Sequence, residues 1–251
     1  MKKVALVTGA SAGLGVEFAR QLSKRGHRLV LAARRKERLE ELAAELGNAR
    51  AIVIDLSKKD AAAKLMADLE ANGETVDLLV NNAGFGLIGR FAKADAKRLR
   101  QMIDLNVATL TDLCRAVAPH MIKRKAGGII NVASTAAFQP GPNMAVYFAT
   151  KAFVLSFTEA LHEELKPHGV HVTCLCPGPT RTEFGELAGF GGNSLFDRVA
   201  MDSPEVVTAG LNGLDKNKAV VVPGLINKVT ASSGRFAPRS VVRKIAGAIK
   251  Y

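Results

Sequence analysis

Lys3-Val4-Ala5-Leu6-Val7-Thr8-Gly9-Ala10-Ser11-Ala12-Gly13-Leu14-Gly15 decides the fold. A short apolar run passes directly into a glycine-rich turn, and an amphipathic pattern continues from there through Arg25. A strand that turns on glycines and re-enters as a helix is suited to a diphosphate. Gly9 permits the tight turn, Gly13 and Gly15 let backbone approach the phosphates and pack helix on strand, and the helix N-terminus offers N–H groups and positive dipole. A glycine cluster alone also fits a plain strand-to-helix turn; its position after an N-terminal strand favours a nucleotide.

Outward from this stretch, short β-branched or apolar runs alternate with longer helical patterns. They are Lys3 to Thr8, Arg28 to Ala33, Arg50 to Ile54, Val76 to Asn81, Gly128 to Ala133, Val170 to Cys176 and Ala219 to Val222. Each run is largely apolar on both faces, as in a parallel sheet covered by helices on both sides. The expected class is α/β, a Rossmann-like doubly wound parallel sheet of about seven strands. No linker, repeat or low-complexity segment interrupts the rhythm, so the 251 residues are read as one domain. The long departure is 182–200, rich in Gly with Phe184, Phe190, Leu195 and Phe196, which reads as a mobile apolar substrate flap.

Composition narrows the class. Hydrophobic residues are 48% and charged residues 23%, which excludes intrinsic disorder and fibrous rods. No apolar run approaches the roughly 18 to 20 residues that cross a bilayer. The N-terminal residues reach polar Thr8 too soon for a signal peptide, so a cytoplasmic protein is expected. Cys114, Cys174 and Cys176 are odd in number, and the last two share one strand face as small core residues. The five histidines have no ligand spacing with them, and no metal is expected. A net charge of +12, from 35 Lys+Arg against 23 Asp+Glu, concentrates at Arg34, Arg35, Lys36 and Arg38 and in a basic tail. No helix-turn-helix or base-reading motif accompanies it, so no nucleic-acid partner is expected.

The end of the second strand is informative for what it lacks. A dinucleotide site for NAD carries an acid there that binds the ribose 2'-hydroxyl, whereas this chain reads Leu31-Ala32-Ala33-Arg34-Arg35. Guanidinium groups instead suit a 2'-phosphate, which favours NADP(H). Arg35, Lys36 and Arg38 also fit the solvated face of the next helix, and for Lys36 and Arg38 that is the preferred reading. Asp55, after the third strand, would contact the adenine or cap the following helix. Asn81-Asn82-Ala83-Gly84 follows the fourth strand and would line the adenosine side or simply turn.

Tyr147 and Lys151, four apart on a predicted helix, share one face. An ammonium near the phenol would favour phenolate and lower its pKa, making a general acid/base; the pair alone would also suit a helix surface. Ser134, just past the fifth strand, lies at the edge where open α/β sheets build their sites and could orient a carbonyl. Asn106 lies in a helical pattern, where a core or helix-bending role competes with a part in a water network.

Together these segments resemble the short-chain dehydrogenase/reductase family over Lys3 to about Thr182, about seven tenths of the chain. Thr8-Gly9-(x)3-Gly13-x-Gly15 matches the family's cofactor turn, Asn81-Asn82-Ala83-Gly84 its fourth-strand motif, and Asn106, Ser134, Tyr147 and Lys151 its catalytic tetrad. Pro177-Gly178-Pro179-Thr180-Arg181-Thr182 is similar to the segment that holds the nicotinamide, with Thr182 at its carboxamide. The resemblance implies hydride transfer between nicotinamide C4 and a carbonyl or alcohol carbon. In it Tyr147 protonates the developing alkoxide, Lys151 lowers the phenol's pKa and binds the ribose, Ser134 holds the substrate oxygen and Asn106 supports a proton-refilling water chain. Carried over residue by residue, the NADP(H) contacts are Gly9, Ser11, Gly13, Leu14, Gly15, Arg34, Asp55, Leu56, Asn82, Ala83, Gly84, Tyr147, Lys151, Pro177, Gly178, Thr180 and Thr182. Arg34 matches the family's NADP marker; a second marker, a basic residue within the turn, is absent because Ser11 and Ala12 stand there.

The C-terminal part departs from bacterial 3-oxoacyl carrier-protein reductases, whose Val-Asp-Gly-Gly-like segment builds a tetramer contact. Here Val220-Val221-Val222-Pro223-Gly224-Leu225 replaces it, and a basic extension over 225–251 follows. The chain therefore looks more like carbonyl, steroid or acyl-chain reductases. A hydrophobic ketone or aldehyde is the favoured substrate, on the flap's Phe and Leu and on Phe85, Phe138 and Phe148. Oxidation of a small 3-hydroxy acid or amino acid, kept open by Arg181 and Glu183, and 3-oxoacyl reduction are alternatives. A non-catalytic NADPH sensor is disfavoured because Tyr147 and Lys151 are both present. The tail would contact an anionic membrane surface weakly or, in the preferred reading, form a solvated helix pair over the sheet edge. Family analogy adds a homodimer or homotetramer through the helices bearing Asn106 and Tyr147.

Overall fold

The computed structural model describes residues 2–188, 200–234 and 238–248. Seven strands form one sheet, every neighbouring pair parallel: β1 (Val4–Thr8), β2 (Arg28–Ala33), β3 (Ala49–Val53), β4 (Val76–Asn81), β5 (Gly127–Val132), β6 (Val170–Leu175) and β7 (Val220–Val221), ordered β3-β2-β1-β4-β5-β6-β7. The order reverses between β1 and β4. Chains leaving those two strands diverge, and the crevice between them is where open α/β sheets bind ligands.

The alternation of side chains along β1 shows why both faces are apolar. Val4 and Leu6 enter one core, with α3 (Ala61–Ala71), α5 (Leu110–Arg124) and α6 (Ala145–Leu165); Ala5 and Val7 enter the other, with α1 (Gly13–Lys24), α2 (Lys36–Leu46) and α8 (Ser203–Asp215). α1 buries Gly15, Phe18, Ala19 and Leu22, one stripe at helical spacing. Burial of Phe18 or Leu22 stabilises by roughly 1.5–3 kcal/mol each. Cys114 lies in α5 and Cys174 in β6, with Cys176 just past it; all three are buried free thiols, and the Cys174 and Cys176 sulfurs are 3.6 Å apart.

Strand boundaries agree with the sequence expectation to within one residue at each end, β7 being trimmed at both to Val220 and Val221, which pair with β6. A further difference lies between α4 (Ala96–Ile103) and α5, where Asp104–Thr109 forms a π-helical turn. Of the expected flap, α7 (Glu183–Ala188) and Ala200 are described, while 189–199 lie outside the described residues. The roots of this excursion are tied together: Thr180 and Met201 form a bridge, Arg181 N donates to Met201 O at 3.0 Å, and Arg181 pairs with Asp202 at 2.8 Å.

The tail helices α9 (Leu225–Ser233) and α10 (Arg239–Ala248) do not simply cover a sheet edge. A Cβ on Gly178 would lie 2.3 Å from Asn227 Oδ1, and one on Gly234 would lie 3.5 Å from Phe138 O, so α9 backs the segments that follow β5 and β6. Leu225, Ile226, Val229, Val241 and Ile245 remain exposed on these two helices. Among the described residues no helix is long and apolar enough to cross a membrane.

Candidate active site

The glycine turn is shaped by close approach. Gly9 has φ +68°, and a Cβ there would stand 2.9 Å from Ala83 Cα; a Cβ on Gly15 would meet Gly9 O at 2.2 Å. Thr8 and Asn82 join the two diverging strands. The Thr8 hydroxyl donates to Val80 O at 3.2 Å and accepts from Asn82 N and Ala83 N at 3.0 Å each, while Asn82 Nδ2 donates to Thr8 O and Gly9 O at 3.0 and 3.3 Å. Ala12 caps α1 without a side-chain hydrogen bond, and the first turn of α1 carries no acid. The helix N-terminus is thereby left with backbone donors and positive dipole toward the turn, which fits a dinucleotide diphosphate.

At the end of β2 it is Arg35, rather than Arg34, whose guanidinium reaches the glycine turn. Its Nε donates to Ser11 Oγ at 3.2 Å, Nη2 to Ser11 O at 3.0 Å and Nη1 to Glu183 at 2.7 Å. Arg34 is exposed and acts on the carboxyl of Asp55. Arg38, expected on a solvated face, also hydrogen-bonds Glu183; Lys36 conforms to that expectation, pairing with Glu40 across the helix surface. Asp55 does not cap α3. Its Oδ1 accepts from Ser57 N and Ser57 Oγ at 3.1 and 2.7 Å, closing a local turn. Desolvation pushes its pKa up, but the Ser57 bonds with Arg34 and Lys58 outweigh that and hold it below the usual value. The Leu56 side chain is in the core and its carbonyl accepts from Thr109 Oγ1 at 2.7 Å, so any part it plays at the cleft falls to its backbone.

Tyr147 and Lys151 are not a helix-surface pair. Both are buried, at 7% and 6% exposure, on a stripe of α6 that continues through Val154, Thr158 and His162. Lys151 Nζ donates to Val132 O at 2.8 Å and lies 5.8 Å from the centre of the Tyr147 ring. The expected lowering of the phenol's pKa is overturned: burial pushes Tyr147 up to about 12, against a smaller opposite pull from its hydrogen bond with Ser134. Burial also brings Lys151 down to about 8, opposed by the nearby Cys174 and Cys176. Desolvation penalises both charged forms more than neighbouring groups compensate.

Ser134 Oγ accepts from Ala136 N at 3.1 Å and donates to Pro177 O through a long 3.4 Å contact, which links the segments after β5 and β6. Asn106, at the π-helical turn, grips the backbone of Phe85: Oδ1 accepts from Phe85 N at 3.1 Å, and Nδ2 donates to Phe85 O at 3.0 Å and to Thr150 Oγ1 at 3.2 Å. A Cβ on Gly84 would stand 3.0 Å from that Oδ1 and 3.6 Å from Lys151 Nζ. Thr182 packs on Gly13, where a Cβ would meet its side chain at 3.0 Å, and Thr180 Oγ1 donates to Gly178 O at 3.0 Å. The glycine turn, the Asn82–Gly84 segment, the tetrad residues and 177–182 thus form one continuous rim.

The supports beneath this rim carry no motif of their own in the sequence. Asn131 pairs with Asn81 across β4 and β5 (Nδ2 of Asn81 to Oδ1, 2.9 Å) and donates to Thr158 Oγ1 at 3.0 Å. A buried amide at matching positions of two predicted neighbouring strands was the available signal. Around Tyr147 the surfaces are apolar: Met102, Met144 and Phe148 are buried with it, and Phe85, Leu87 and Phe184 pack against them, the Phe184 ring 5.7 Å away. Arg98 lies 4.6 Å from the centre of the Phe85 ring. Arg181 and Glu183, which kept a polar substrate open, are engaged with Asp202 and with the two arginines.

Residues 3–188 match the family model described as short chain dehydrogenase. An NADP-dependent 3-hydroxy acid dehydrogenase of Salmonella typhi is 38% identical over 212 residues, covering 82% of this chain and 86% of that protein. A short-chain dehydrogenase from Sphingobium yanoikuyae in complex with NADPH superposes with TM-score 0.85 at 34% identity, over 99% of this chain and 96% of that one. The bulky-bulky ketone specific alcohol dehydrogenase from Comamonas testosteroni does so with TM-score 0.79 at 31% identity, over 99% and 95%.

Proposed function

The chain belongs to the short-chain dehydrogenase family, and on that premise we propose that it is an NADP(H)-dependent oxidoreductase acting on a hydrophobic ketone or aldehyde and the corresponding secondary or primary alcohol. The apolar wall around the Tyr147 phenol, made by Phe85, Met102, Met144, Phe148 and Phe184, carries this reading. Arg35 seated on Ser11, with no acid at the end of β2, supports the NADP(H) preference.

The nicotinamide, when bound, supplies or accepts the hydride. Tyr147 is the general acid and base. Its phenol is protonated at neutral pH and available to a carbonyl oxygen as negative charge develops there. Ser134 accepts from Ala136 N, which orients Oγ; its long contact to Pro177 O yields readily to a substrate oxygen. Lys151, fixed on Val132 O beneath the ring, favours the phenolate whenever it is charged and so assists release of the phenolic proton to the developing alkoxide. Asn106 holds the Phe85 backbone, and with it the apolar wall facing Tyr147.

Initial rates of NADPH oxidation with ketones of increasing apolar size test the assignment. kcat/KM should rise with size, and Tyr147→Phe should lose about 10²- to 10⁴-fold, the usual worth of a positioned acid. A second reading, oxidation of a 3-hydroxy acid, draws on the Salmonella relative and on Arg98, a cation at the wall that would receive a carboxylate. Turnover confined to NADP+ with 3-hydroxy acids would favour that reading, and NADPH binding without any turnover would favour a sensor.

A further inference from the structure

We propose that Glu183 sets cofactor discrimination: its carboxylate sits where the 2'-phosphate of NADP(H) would be received, so a 2'-phosphorylated cofactor has to displace it. The proposal rests on the NADP(H) reading above. Arg35 is no free surface side chain, because Ser11 takes two of its donors and orients the fork over the glycine turn. The remaining Nη1 is directed at Glu183 Oε2, and Nη1 of Arg38, three residues along α2, bonds the other carboxylate oxygen. One anion is thus divided between two guanidinium groups, one oxygen to each. Among the described residues no other carboxylate pairs with either arginine.

The seat is built for an anion with several oxygens, and a phosphate monoester exceeds a carboxylate in both charge and acceptor number. The hydrogen bond from Arg35, then that from Arg38, holds the Glu183 carboxyl below its usual pKa, so the resident group is charged at neutral pH. The peptide bearing it is also at the cleft, since neighbouring Thr182 packs on Gly13. A 2'-phosphate would replace the carboxylate on the same donors and meet its repulsion if it stayed. The neutral 2'-hydroxyl of NADH does not compete for the arginines. The acid absent from the end of β2 is in effect supplied from a segment about 150 residues later, and it acts against the phosphate.

Calorimetric titration with adenosine 2',5'-bisphosphate and with adenosine 5'-monophosphate, which differ only in the 2'-phosphate, tests this without turnover, on the wild type, Glu183→Gln and Arg35→Ala. The Glu183 side chain is 39% exposed, so its replacement leaves the core untouched. Glu183→Gln should tighten the 2',5'-bisphosphate roughly three- to tenfold, the worth of one or two exposed ion pairs, and leave the 5'-monophosphate within about twofold. Arg35→Ala should remove the preference for the 2'-phosphate. If the wild type prefers the 2',5'-bisphosphate and Glu183→Gln does not strengthen it, the role of Glu183 is overturned and the NADP(H) reading stands. Equal tightening of both ligands also overturns it. If the wild type shows no preference, the NADP(H) reading falls; a preference gained in Glu183→Gln would then still support competition by the carboxylate, and none gained would overturn that as well.

Discussion

Lys151 carries an amine into surroundings that disfavour its charge: Nζ has Val132 O at 2.8 Å, the Tyr147 ring above it and two thiols nearby. Burial brings its pKa to about 8, whereas an unfolded chain titrates the same group near 10.4. Between those values the unfolded state binds a proton that the native state has released. The contribution of Lys151 to stability therefore rises with pH across that window and is level outside it. Tyr147, raised in the native state, acts in the opposite sense at higher pH, but it is common to wild type and a lysine variant and cancels in the comparison. Urea unfolding of the wild type and Lys151→Met at about pH 7.5 and about pH 10 should show the wild type gaining on the order of 1–3 kcal/mol relative to the variant. Parallel changes in the two proteins would mean that the native amine keeps its proton. The spacing of Tyr147 and Lys151 revealed that they share a face, but a polar pair at that interval is equally at home in water. Only the apolar continuation of the stripe, through Val154 and Leu165, shows that the face turns inward.

At the scale of elements, α1 is held against the turn after β1 by the absence of one methyl group. A Cβ at Gly15 would stand 2.2 Å from Gly9 O and 2.7 Å from Asn82 Nδ2, so Gly15→Ala must push the helix from the turn or break the amide that joins β1 to β4. Overpacking of this kind costs about 1–3 kcal/mol, or roughly 2–4 °C of Tm per kcal/mol in a chain of this size. Differential scanning calorimetry should show that loss, and NADPH titration a weaker complex. Gly26→Asn, at φ +83° with nothing within 4 Å of its Cβ, should leave both nearly unchanged, since Asn tolerates that conformation. An equal effect of the two substitutions would remove the close approach as the cause. The glycine turn and the strands were readable because their signals are local: β-branched runs, then a break. The π-helical turn at Asp104–Thr109 was not, because its residues suit an α-helix and the extra residue per turn serves contacts made by Asn106 to distant Phe85 and Thr150. The brevity of β7 was hidden for a related reason, Ala219 to Val222 being apolar whether or not a neighbour pairs with it.

On the scale of the whole molecule, chain segments far apart in sequence meet at the reversal of the strand order, and those meetings were the least legible part. Arg35 reads as basic surface until Ser11 and Glu183 arrive on it, and no periodicity in the sequence announces either. The tail likewise reads as a charged appendage, yet Asn227 backs Gly178. The three cysteines lead elsewhere. Cys114, Cys174 and Cys176 sit on the α5 and β6 side of the sheet with no exposed sulfur, and burial pushes the Cys114 thiol up to about 12. A disulfide reagent such as DTNB should consume no thiol promptly in the native protein and all three once it is unfolded. Slow native labelling then measures how often the sheet opens, and saturating NADPH at about 100 times its Kd should slow it by about 100-fold if opening releases the cofactor. Rapid labelling of any one cysteine would contradict the burial. The chain thus carries an internal stopwatch that records occupancy of the cleft without a substrate ever being turned over.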